Sequence, residues 1–209
     1  MLLEFSELLY YIKPIVMLFI VLDPIAVTPY YQAIASRYDA TRRPALLRTT
    51  VVAMTSFLLA FALLGDLLFG LFNISFEDFK IAAGVVLLVY AVASLLGVEL
   101  GGSRSGGEEA AIVPLATPLL AGPAATSVTL FIKYTYGLPV AILAVVVNAV
   151  IVYVVFSLGE KITKLIGSQG MVLIEKFLSF LLAALATSIM FSGLQGKGLL
   201  PRAPAIPQD

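Results

Sequence analysis

Asp23-Pro24 and Gly122-Pro123 interrupt two long apolar stretches at corresponding places in the chain. An aspartate followed by proline reads as the N-cap and first residue of a new half-helix. The carboxylate accepts orphan amide protons, and proline has none to offer. Gly122-Pro123 repeats the arrangement with glycine at the cap. Each such N-terminus presents unpaired amides and the positive end of a helix dipole, which together attract an anion where the dielectric is low. A substrate carboxylate suits one of them. The candidate binding residues are therefore Asp23, Pro24, Ile25 and Thr28 at the first break, and Ala121, Gly122, Pro123, Thr126 and Ser127 at the second. Asp23 is also the candidate coupling group, because it is the acidic side chain that the sequence places deep in a span.

These defects matter because of where they sit. Of 209 residues 60% are hydrophobic and 12% charged, and the mean hydropathy is +1.03, so the chain lacks the charge to cover a soluble surface. The bilayer must be its solvent. In lipid, a missing backbone donor or a carboxylate persists only where protein or a solvated cavity satisfies it. Broken helices at matching positions in two halves are the sequence pattern of a secondary transporter's substrate site.

The apolar runs suggest six spans, at about 8–36, 46–72, 79–96, 112–134, 138–158 and 171–194. The expected fold class is an all-α membrane protein. Residues 1–96 form one three-helix repeat, 97–111 a flexible Gly/Ser linker, 112–194 a second repeat, and 195–209 a disordered, proline-rich tail. Three pairs support the division: Asp23-Pro24 with Gly122-Pro123, Gly65-Asp66 with Gly159-Glu160, and Phe79-Lys80 with Lys176-Phe177. Three spans per half is an odd number, so the second repeat enters the membrane inverted, with spans one and four broken near the midplane. Loops 1–2, 3–4 and 5–6 hold Arg37, Arg42, Arg43, Arg48, Arg104, Lys161, Lys164 and Lys176, against Lys13, Lys80, Lys133, Lys197 and Arg202 opposite. That bias puts both termini outside a plasma membrane. Nothing before the first apolar stretch resembles a cleaved leader.

Other chemistries find little support. With no Cys and no His there is no thiol nucleophile, Cys/His metal centre, histidine triad or histidine switch. The neutral net charge gives no footprint for nucleic acid. A membrane enzyme would need paired intramembrane carboxylates, which the pattern does not offer, and Lys176 with Ser179 is a common helical spacing. A small-solute channel would need a continuous polar lining. A membrane protein with no transport activity is the remaining alternative. Thr28, Thr126 and Ser127 have a plainer role as hydroxyls bonded to the preceding turn. Asn148 reads as glue between helices and Gly84 as a close helix contact. Tyr10, Tyr11, Tyr30, Tyr31, Tyr134 and Tyr136 read as interface anchors.

Leu22-Asp23-Pro24-Ile25 with Pro29, the run from Pro114 to Pro123 (Pro-Leu-Ala-Thr-Pro-Leu-Leu-Ala-Gly-Pro), and Phe79-Lys80-Ile81-Ala82-Ala83-Gly84 together resemble the MarC family. The resemblance covers nearly the whole chain. It implies a six-span inverted-repeat protein, similar to an archaeal transporter of small neutral amino acids such as glycine and alanine, coupled to protons. Its partners would be a small neutral amino acid, a proton or sodium ion and the lipid bilayer, with a homo-oligomer left open and no cofactor. The chain departs from the family at Ala26-Val27, where Gly-Asn is usual, and at Ala124, where Gly is usual. These departures bear on the substrate rather than the fold.

Overall fold

The computed structural model describes residues 2–98 and 121–201. Those residues are all-helical, with no strand. The helices are α1 (Leu2–Leu22), α2 (Pro24–Ala35), α3 (Arg43–Phe72), α4 (Phe76–Leu95), α5 (Pro123–Tyr136), α6 (Leu138–Ser157) and α7 (Gly159–Gly196). Most of the linker expected at 97–111, the start of the fourth span at 112–120, the motif from Pro114 to Leu120 and the tail at 202–209 lie outside the described residues.

Local chemistry sets the boundaries. Asn73 ends α3 in the left-handed region, which a short polar side chain tolerates. Ser75 then opens α4 through a capping box, its hydroxyl accepting from the Asp78 amide while the Asp78 carboxylate accepts from the Ser75 amide. Gly137, at φ 93°, turns the chain between α5 and α6. Gly167, at φ 73°, kinks α7. The last helix therefore begins at Gly159 and runs to Gly196, beyond both limits of the span expected at 171–194, with its membrane-length portion from Gln169. Among the described residues, four helices are long and apolar enough to cross a membrane, and a fifth span follows if α1 and α2 count as one broken unit.

Helix α4 lies antiparallel against α7. A Cβ on Gly84 would meet Met190 and Ala186, Gly193 lies against Glu77 and Lys80, and at the far end Ser94 bonds to Ser179. Small residues let these backbones approach closely, which is how helices gain packing energy in lipid, where no hydrophobic drive joins them. Gly84 is thus the close contact that its sequence setting suggests. Asn148 likewise joins helices, donating from α6 to the Ile15 carbonyl of α1 at 3.0 Å and to its own Ala144 carbonyl at 2.9 Å.

The two ends of the bundle differ. At one end the start of α1 meets the end of α5, with Tyr10 donating to the Tyr136 carbonyl at 2.7 Å. Nearby, Phe69 stacks on Tyr134 and buried Lys133 pairs with exposed Asp66 at 2.9 Å. At the other end the segment carrying Arg37, Arg42 and Arg43 meets the α6–α7 junction with Lys161. Replacing Asp66 with Asn strands the Lys133 ammonium. Because Asp66 is open to water, the cost should be about 1–2 kcal/mol, less than a fully buried pair would lose. A lower thermal midpoint in detergent for Asp66→Asn, largely restored in Asp66→Asn/Lys133→Met, checks it.

Candidate functional site

The first break is built as its two residues dictate. Asp23 caps α2 from the left-handed region (φ 38°, ψ 59°), its Oδ1 accepting from the Ala26 amide at 3.2 Å. Pro24 follows as the first helical residue, and the chain bends by 43° between the two helices. Proline gives Ile20 no amide partner. Among the described residues, no backbone amide reaches the carbonyls of Val21 and Leu22 either. The break thus presents a carboxylate beside unpaired carbonyl oxygens, with Pro24 and Thr28 buried and Asp23 and Ile25 partly so.

The second break has the opposite character. Pro123 opens α5 behind Gly122, and no side chain caps that terminus. Ala121, Gly122, Ala124, Ala125 and Thr126 are buried, Ser127 is partly so, and the Pro123 ring is exposed. The amides of Ala124 and Ala125 have no partner within their own helix, since an α-helix leaves its first donors unpaired. Buried amides without a cap are what an anion would satisfy.

Counted along their helices, the two breaks lie equally far from one contact. Helices α1 and α5 pack together and run from the Tyr10–Tyr136 contact into one core, which contains both Leu22 and Ala124. Thirteen residues separate Tyr10 from Asp23, and thirteen separate Pro123 from Tyr136. At 1.5 Å per residue each break is about 20 Å from that contact.

The threonines turn inward on their own helices. Thr28 donates to the Pro24 carbonyl at 2.7 Å, and Thr126 to the Gly122 and Pro123 carbonyls at 3.1 and 3.0 Å. Their oxygens keep acceptor capacity, but their protons are already used. The plainer expectation for both residues describes this geometry.

Two features were not foreseen. Glu175 is a second carboxylate inside a span, seated in the α4–α7 seam, where Ser94 donates to it at 3.2 Å and also contacts Ser179 at 2.6 Å. It lies within the span expected at 171–194, so Asp23 is not the only carboxylate inside a span. Lys176 donates to the Ser94 carbonyl, and Ser179 donates to the Glu175 carbonyl at 2.7 Å, so these two do not face each other as a nucleophile pair would. The sequence signal for Glu175 was its position within the last apolar run. The other feature is Tyr31. Read as an interface anchor, it is instead buried and stacked on Phe156, with centroids 4.6 Å apart.

Apolar helices of membrane length around buried, broken segments define an integral membrane protein that crosses the bilayer several times. Residues 8–197 match the family described as MarC family integral membrane protein, and the chain belongs to that family. Its curated relatives include a UPF0056 membrane protein of Archaeoglobus fulgidus, 31% identical over 86% of this chain and 90% of the relative. Another, from Methanocaldococcus jannaschii, is 29% identical over 91% and 98%. The UPF0056 membrane protein YhcE of Escherichia coli is 28% identical over 91% and 94%. No solved structure gives a significant match.

Proposed function

We propose that the chain is a secondary transporter of small neutral amino acids, working by alternating access and coupled to protons through Asp23, and that it is not an enzyme. The observation that carries this reading is the pair of breaks, each thirteen positions along its helix from the Tyr10–Tyr136 contact. One offers a carboxylate and bare carbonyls for an ammonium group or a cation, and the other offers uncapped amides for a carboxylate. Together they complement a zwitterion, and the alanines around them leave room for a small one. A channel finds less support, because the hydroxyls of Thr28, Thr126 and Thr129 turn back onto their own helices instead of lining a continuous path.

The architecture proposed with it is six spans in two inverted three-helix repeats, with residues 112–120 completing the fourth. The antiparallel α4–α7 pair, third helices of the two halves, supports inversion. So does the mirrored placement of Asp23-Pro24 and Gly122-Pro123 on antiparallel α1 and α5. Ala26, Val27 and Ala124, where the chain departs from the family pattern, flank both breaks, so they tune which small amino acid fits.

Uptake by purified protein in liposomes tests the function. Labelled glycine, alanine or serine should accumulate saturably under an imposed pH gradient. Flux that follows sodium and ignores pH would move coupling from Asp23 to the bare carbonyls, and no saturable flux of any of the three would overturn the reading. Gathering the arginines of the α2–α3 segment at one end supports both termini outside the plasma membrane. The cysteine-free chain allows a direct check: a cysteine placed among 37–42 should react with a membrane-impermeant maleimide only after the cells are opened. Labelling from outside intact cells would reverse the orientation.

A further inference from the structure

A cleft of about 500 Å³ opens at the arginine-rich end, between the end of α2, the start of α3 and the α6–α7 junction. Its wall carries Arg43, Lys161 and Glu160. Among the described residues none of the three is in an ion pair, although all face one cleft. Opposite charges arranged this way leave both signs available to an occupant, and charge-assisted hydrogen bonds are the strong ones. The Arg43 Nε donates to the Tyr38 carbonyl at 3.2 Å, which fixes the guanidinium against the wall.

Gln32 supplies an independent indication. It lines the same cleft, and its Nε2 is buried with no acceptor among the described residues. An unmet buried donor is costly, and an incoming carboxylate would satisfy it.

The cleft borders the first break. Gln32 lies one turn beyond Thr28 on the same face of α2, the helix that Asp23 caps. The way between is shut. Tyr31 stacks on Phe156, and Gly159 lies so close that a Cβ there would be 2.8 Å from both Thr28 Cγ2 and Gln32 Nε2. No larger residue fits at 159 while Thr28 and Gln32 hold these positions.

We propose that this cleft is an entry site for a small zwitterion on the loop 1–2 face. Arg43 and Lys161 hold its carboxylate, Glu160 holds its ammonium group, and Gln32 donates to the carboxylate at the threshold of the Asp23 break. The inference rests on the transporter reading. The Tyr31–Phe156 stack and the Thr28–Gly159 contact are what must part before the ligand moves on.

Full-length protein in oriented liposomes tests it through alanine exchange from each face, with equilibrium binding of labelled alanine in phospholipid-free micelles. Arg43→Gln and Glu160→Gln should each raise the half-saturating alanine concentration on the loop 1–2 face about tenfold, and leave the opposite face unchanged. Gly159→Ala should slow exchange in both directions while alanine binding in micelles persists. A merely structural role would alter both faces alike, so an equal change on the two faces in Arg43→Gln or Glu160→Gln, or none, overturns the proposal. An effect of Arg43→Gln confined to liposomes containing an aminophospholipid would assign the cleft to a lipid headgroup and overturn it too. If the wild type exchanges nothing, the transporter reading fails and binding alone decides. Alanine retained by the wild type and lost in Arg43→Gln upholds the cleft, and no retention by the wild type overturns it.

Discussion

Asp23→Asn should abolish accumulation driven by a pH gradient while leaving the fold intact. Asparagine caps a helix about as well as aspartate and tolerates the left-handed region that residue 23 occupies. The substitution therefore removes the charge and little else. A gradient of one pH unit supplies about 1.4 kcal/mol per coupled proton, about a tenfold accumulation, and all of it should be lost with the carrier. The amides at the uncapped start of α5 remain, so passive exchange of alanine should survive at a reduced rate. Asp23→Ala should behave differently, losing about 1 kcal/mol of stability with the cap as well as the coupling. Liposome uptake and thermal unfolding of both variants separate the two roles. Full pH-driven uptake by Asp23→Asn would reduce Asp23 to a helix cap.

Gly84→Val should be the most damaging single change to stability. A Cβ at residue 84 would sit 2.6 Å from Met190 Cβ and 2.8 Å from both the Ala186 carbonyl oxygen and the Met190 amide. Two of these neighbours are backbone, which cannot rotate aside, so α4 and α7 must separate. Overpacking of this kind costs about 1–3 kcal/mol for a single added group, and valine adds three carbons. The seam also holds Glu175, Ser94 and Ser179 at its far end, so separation there would disturb their hydrogen bonds. Gly70→Ala is the matched control. No atom lies within 4 Å of the position where its Cβ would be, and alanine favours a helix over glycine by about 1 kcal/mol. Thermal unfolding in detergent should show Gly84→Val strongly lowered and Gly70→Ala unchanged or raised.

The features legible in the sequence are those that one or two neighbouring residues determine. Asp23-Pro24 could be placed because capping and the missing proline donor act within a single turn, and Gly122-Pro123 for the same reason. Helix ends at Asn73 and Gly137 also follow from local backbone preference. What escaped depends on which face of a helix turns inward. In a soluble helix the polar stripe reveals the outer face, but these helices are apolar nearly all round, so the sequence alone does not show their rotation. Tyr31 therefore looked like an interface anchor, although it stacks on Phe156 from a distant part of the chain. Glu175 is not evident from the sequence because its partner Ser94 reaches it only through the register of α4 on α7. The entry cleft was invisible for a related reason: Gln32, Arg43 and Glu160 come together only when three helix ends meet.

That the two breaks form one substrate site is the central claim, and substrate protection tests it most directly. Ala26 and Ser127 are both partly exposed, one beside each break. Single cysteines at these positions, introduced separately into the cysteine-free chain, can be alkylated in liposomes while alanine is titrated. One shared site predicts that alanine slows alkylation of both, with the same half-maximal concentration. Protection of one cysteine alone, or of both at clearly different concentrations, would mean that the breaks do not share a ligand.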